Sequence, residues 1–101
     1  MLSICESSTL HLAHIAQEIE KNGGNDVSMG AVARAKANVT LQAREVVRLA
    51  REVFGGNGIL VENRVMKHFN DIEVMYTGEG TYDVNSLVSG RDLTGGLSAF
   101  K

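Results

Sequence analysis

The sequence has no proline, no tryptophan and a single cysteine, and its aromatics amount to two tyrosines and three phenylalanines in 101 residues. Each shortage excludes something. With no proline, nothing forces a helix to break from within. The lone thiol, Cys5, can form no internal disulfide, so a reducing compartment is the expectation. No apolar run approaches the roughly 18 residues that a membrane span needs, and the N-terminus lacks the basic-then-apolar pattern of a secretion signal. Ten basic residues against twelve acidic ones give a net charge of −2 with no basic block, which excludes the usual electrostatic mode of nucleic-acid binding. Apolar residues at 44% and charged residues at 22% are globular proportions. β-branched residues do not alternate with polar ones, so the fold class expected is all-α, a bundle of about four helices forming one domain over residues 1–101.

The helices separate on glycine and polar clusters. The first is expected over Leu2 to Lys21, with Leu2, Cys5, Leu12, Ile15, Ala16 and Ile19 on one face, and it stops at Asn22-Gly23-Gly24-Asn25-Asp26. Cys5 reads as a core thiol. The second carries the strongest period: Met29, Val32, Lys36, Val39, Ala43, Val46, Ala50 and Val53 alternate spacings of three and four. Asp26 or Ser28 can cap its start, Gly55-Gly56 ends it, and its alanines suit close helix packing. A third helix is expected from Glu62 to Asp71, a loop over Met75 to Gly80, and a last helix from Thr81 with Val84, Leu87, Val88, Arg91 and Leu97 inward. Gly95-Gly96 weakens its final turns. The second helix has more apolar and small surface than three modest neighbours can cover, so burial in other subunits or in further parts of a larger chain is expected.

Two glycine clusters could carry chemistry. Gly55-Gly56-Asn57-Gly58 is neither a Walker loop nor a dinucleotide fingerprint. It is either a helix stop or a place where a ligand comes close to backbone. In Gly78-Glu79-Gly80-Thr81 two residues without side chains flank a carboxylate, and the helix start beside it presents free N–H groups. Glu79 is thus a candidate general base, because burial in a dry pocket can raise a carboxylate toward working pH. The alternative is an acid in a mobile turn. His11 and His14 stand at i and i+3 but lack a third ligand, so no metal site is assigned, and the arginines and acids of the second helix read mostly as a solvated or subunit-facing side.

Ala50 to Ile59 (Ala-Arg-Glu-Val-Phe-Gly-Gly-Asn-Gly-Ile), Glu79 to Asp83 (Glu-Gly-Thr-Tyr-Asp) and Ser89 to Arg91 (Ser-Gly-Arg) follow one another along the chain. Their order and separation resemble the end of an acyl-CoA dehydrogenase. The likeness runs from the first helix to Phe100, and the Glu-Gly-Thr-Xaa-Asp form is nearest to glutaryl-CoA dehydrogenases and related short-chain oxidases. It implies the C-terminal four-helix domain of a longer FAD enzyme of fatty-acid or amino-acid catabolism, assembled as a homotetramer through these helices. By that resemblance Glu79 takes the pro-R α-proton of an acyl-CoA thioester while the β-hydrogen leaves as hydride to N5 of the flavin. Thr81 and Asp83 match positions at the flavin, and Glu52, Val53, Phe54, Gly55 and Gly56 match a stretch that touches the FAD of a neighbouring subunit. Electrons would pass to an electron-transfer flavoprotein or to oxygen, in bacterial cytoplasm or mitochondrial matrix. Two positions depart from the family's habit: Gly78 replaces a common tyrosine, and Glu52 a common glutamine. Alone, this chain is expected to be inactive and to associate with itself. A reading from another class is a helical oligomerisation module in which Glu79 goes unused.

Overall fold

The computed structural model describes residues 1–21, 23 and 28–95. They form four α-helices, α1 (Leu2–Lys21), α2 (Met29–Val53), α3 (Val65–Thr77) and α4 (Tyr82–Leu93), with short 3-10 turns at Gly55–Ile59 and Val61–Asn63. No strand occurs among the described residues, so the all-α expectation holds. α2 begins at Ser28, whose extended backbone lets Oγ accept the Ala31 N–H at 3.2 Å. Asp26, the other expected cap, lies outside the described residues. α2 ends where Gly55 adopts φ +61°, a left-handed conformation that costs glycine little.

At 25 residues and about 1.5 Å each, α2 is a rod of roughly 38 Å on which α1, α3 and α4 all pack, while they hardly touch one another. Three neighbours around one rod need more than one stripe, and this corrects the expected inner faces. On α2 the buried residues are Gly30, Ala33, Ala35 and Ala37, whereas Met29 and Val53 are exposed. The alanines do what their size allows: they let helices approach closely. On α4 Ser89 is buried while Val84 and Leu87 are exposed, and Leu97 lies outside the described residues. On α1 the less exposed residues are Ile4, Ser8, His11, Ile15 and Glu18, with Ser8 Oγ and Gln42 Oε1 2.7 Å apart. Leu2 and Ile19 face away from α2, and Cys5 is exposed rather than core. With α2 its single close neighbour, α1 has nothing to bury its outer side against.

The third helix also differs from expectation. It starts at Val65, because Arg64 in a left-handed conformation separates it from the Val61–Asn63 turn, and it runs on to Thr77. Met75 to Thr77 is therefore helix, and the loop shrinks to Gly78–Thr81. The pattern Val65, Phe69, Ile72, Tyr76 continues through the polar Asp71 and Glu73 and keeps α3 against α2.

The helices make a slab of 48 × 32 × 18 Å, less than two helix diameters thick. The Cα radius of gyration is 16.2 Å, against about 13 Å for a closed globule of this length. Accessible surface is 7006 Å², against about 5,600 Å² expected for the mass. Among the described residues the buried apolar set is three alanines, and Leu2, Leu10, Met29, Val53, Val61 and Val74 are each about 70% exposed or more. That surplus agrees with the surface excess read from the sequence. Sedimentation of the purified chain is accordingly expected to show multiples of its 10.9 kDa mass at micromolar concentration. A monomer that stays folded at high dilution would contradict this.

Candidate functional site

The turn between α3 and α4 is short and fixed from several sides. α3 closes with the Gly78 N–H donating to the Val74 carbonyl at 2.6 Å. A Cβ at Gly78 would sit 2.8 Å from that oxygen, so this backbone path has no room for a tyrosine there. Glu79 follows at φ +58°, a left-handed conformation that a non-glycine residue holds only at a cost of about 1 kcal/mol or more. Gly80 sits at φ +111°, and a Cβ there would stand 2.9 Å from Asn85 Nδ2. Thr81 then caps α4, its Oγ1 accepting the Val84 N–H at 3.2 Å. The Tyr82 and Asp83 N–H groups in the first turn have no intrahelical acceptors.

Side chains from three helices converge on this turn. Lys36 Nζ on α2 donates to the carbonyls of Tyr76 at 2.9 Å and Gly80 at 2.6 Å. Asn85 Nδ2 donates to the Gly80 carbonyl at 2.9 Å and the Thr81 carbonyl at 3.1 Å. Tyr76 and Tyr82, three residues either side of Glu79, stack with centroids 5.9 Å apart. The Arg44 guanidinium lies 4.2 Å from the Tyr76 ring and donates to Glu73 at 2.7 Å, an arrangement that raises the Arg44 pKa. Glu79 itself is exposed, and no ion pair among the described residues involves it. The result is an acidic side chain on a strained, well-anchored backbone with its carboxylate free.

The second cluster lies elsewhere. Glu52 accepts from Arg48 Nη1 at 2.7 Å, Val53 and Phe54 are exposed, and Gly55 and Gly56 have open space where a Cβ would stand. Backbone open to solvent thus lies beside an exposed aromatic ring. Sixteen residues of α2 separate Glu52 from Lys36, about 24 Å along the rod. One chain therefore does not bring Glu52–Gly56 together with Glu79, Thr81 and Asp83. His11 faces a groove of about 430 Å³ between α1, α2 and α4, lined also by Arg34, Tyr82 and Ser89. His14 is exposed.

Sequence reasoning singled out Glu79 but not the groups that anchor its turn. Lys36 was the visible signal, a cation in an otherwise apolar stripe. The arginines of α2 are also not wholly a solvated face: Arg34 donates to Ser89 at 3.2 Å and lies 3.6 Å from Asp92 on α4. Arg48 does face solvent, gripping Glu45 and Glu52 on its own helix. Hydrogen bonding to Arg48 lowers the Glu45 pKa. Whatever the pair contributes is therefore present above the ordinary carboxylate pKa and is lost as pH falls through the lowered value. In an NMR titration the Glu45 carboxyl is expected to titrate below the ordinary glutamate midpoint, and Arg48→Met to return it there.

The described residues thus form an all-helical layer with a small buried core and an anchored acidic turn. Residues 1–94 match the family model described as acyl-CoA dehydrogenase, C-terminal domain. The chain belongs to the acyl-CoA dehydrogenase C-terminal domain family, an oxidoreductase family that generally depends on FAD.

Proposed function

We propose that this chain forms the C-terminal bundle of an FAD-dependent acyl-CoA dehydrogenase in which Glu79 is the general base. The observation that carries the reading is the free carboxylate of Glu79 on a backbone held by Lys36, Asn85 and the stacked tyrosines. A base must meet the α-carbon of a thioester in one geometry, and effort spent on fixing Glu79 without neutralising it suits that task. Glu79 takes the α-proton, and the bound flavin supplies the acceptor for the β-hydride. Thr81 and Asp83, at the start of α4, border the flavin of the same subunit. Glu52, Val53, Phe54, Gly55 and Gly56 border that of a neighbour, which accords with the roughly 24 Å of α2 between Glu52 and Lys36. The substrate class is a short acyl-CoA of the glutaryl or butyryl kind, and Gly78, with no ring beside the base, leaves the pocket open there. Electron-transfer flavoprotein or oxygen takes the electrons.

The test is anaerobic mixing of the complete flavin-loaded enzyme with glutaryl-CoA and butyryl-CoA. Bleaching of the visible flavin band, with the enoyl thioester as product, is expected. A flavin that stays oxidised with every short thioester would overturn the reading. The second reading, a non-catalytic assembly module, is favoured by the excess surface of the slab, and that outcome would support it.

A further inference from the structure

We infer that Lys36 is a positioning residue for Glu79, an inference that rests on the reading of Glu79 as the base. Lys36 has three N–H donors, and two are spent on carbonyls that bracket the turn, Tyr76 at 2.9 Å and Gly80 at 2.6 Å. The Tyr76 carbonyl belongs to the last turn of α3, where helix carbonyls lack intrahelical partners. The Gly80 carbonyl precedes α4 and accepts from both Lys36 and the Asn85 side chain of that helix. One ammonium therefore bonds a carbonyl on each side of Glu79, alone at Tyr76 and with Asn85 at Gly80, and places positive charge at the C-terminal end of α3.

The segment between those carbonyls is the one that most needs holding. It contains two glycines, and Glu79 at φ +58° is strained. The stacked tyrosines join the helix ends but do not set the direction of the Glu79 Cα–Cβ bond. The carbonyl contacts do, because they fix the backbone on both sides of it. Lys36 reaches the turn through main-chain oxygens, and no ion pair links it to Glu79. The base is therefore aimed without being neutralised. Lys36 is only partly exposed, midway along the buried alanines of α2, so its own backbone is among the best anchored in the chain.

The experiment uses Lys36→Met, which keeps length and removes the donors. A protease that cuts after glutamate reports the turn directly, with the exposed Glu62 bond as internal reference. Cleavage after Glu79 is expected to rise about tenfold relative to Glu62 in the variant. An unchanged ratio would overturn the inference. Should both bonds open faster together, the wild-type chain decides by NMR. A Lys36 ammonium whose protons exchange with water much more slowly than those of Lys67 supports the role, and equal exchange overturns it. In the complete enzyme Lys36→Met is expected to lower kcat by about ten- to a hundredfold with KM within about twofold. A change confined to KM would contradict positioning of the base. The proteolysis and exchange measurements need neither flavin nor substrate, so they stand or fall apart from the assignment of Glu79.

Discussion

Glu79→Gln is expected to reduce turnover of the complete enzyme by about a thousandfold while leaving its fold and flavin content unchanged. The amide matches the carboxylate in size, and the side chain is exposed, so the change in stability should stay within about 0.5 kcal/mol. What the amide lacks is the ability to accept a proton, a role worth roughly 10²- to 10⁴-fold for a positioned general base. Binding of the thioester depends on its whole length, so KM should move little. Turnover, melting temperature and the flavin spectrum, measured on one preparation, separate these effects. A variant with normal flavin content and turnover within tenfold of wild type would remove Glu79 from the chemistry.

The largest expected effect on stability lies at the other glycine cluster. Gly58 is buried at the end of α2, and a Cβ there would overlap the Arg51 carbonyl oxygen and stand 3.1 Å from Arg51 Cγ. The main chain of α2 cannot yield without losing its last turn, so Gly58→Ala must push the Gly55–Ile59 turn away from the helix. Overpacking against backbone of this kind costs about 2–4 kcal/mol, a large share of the 5–15 kcal/mol typical of a folded domain. Gly56→Ala is the control, because open space surrounds that position and the expected change is within about 0.5 kcal/mol. Urea unfolding of the two variants beside wild type gives the comparison. Equal midpoints for Gly56→Ala and Gly58→Ala would show that the close approach is not what holds this corner.

These expectations depend on details of uneven visibility in the sequence. α1 and α2 were largely legible, with the start of α2 left open between two caps, since Leu2–Lys21 and Met29–Val53 are bounded by a polar glycine loop, a serine cap and a left-handed glycine, all local signals. α3 was not: its expected end at Asp71 falls six residues short of Thr77. The helix continues because Glu73 meets Arg44 and Tyr76 meets Tyr82, partners distant or hidden in sequence. Inner faces were read as single stripes, as they would be for a helix with one apolar side. A rod with three neighbours breaks that assumption, and Cys5, Leu2 and Val53 are the residues left outside. The motif around Glu79 was visible through its glycines and its order relative to Ala50–Ile59. The separation of those clusters was not, since it follows from the length of α2, roughly 24 Å from Glu52 to Lys36, and from where Lys36 meets the turn.

The same geometry explains why so much apolar surface coexists with so careful a turn. α2 spends its small residues on close contact with its neighbours, and its ends and the outer side of α1 remain uncovered. The free carboxylate of Glu79 and the open backbone of Gly55-Gly56 are both on the outside.

The central claim is that Glu79 moves a proton from the carbon next to a thioester carbonyl, and isotope exchange reads that step alone. Complete enzyme incubated with an acyl-CoA in D₂O, without an electron acceptor, is expected to wash deuterium into the α-position of recovered thioester, and the Glu79→Gln enzyme to leave it unlabelled. Equal labelling by the two enzymes would contradict the account.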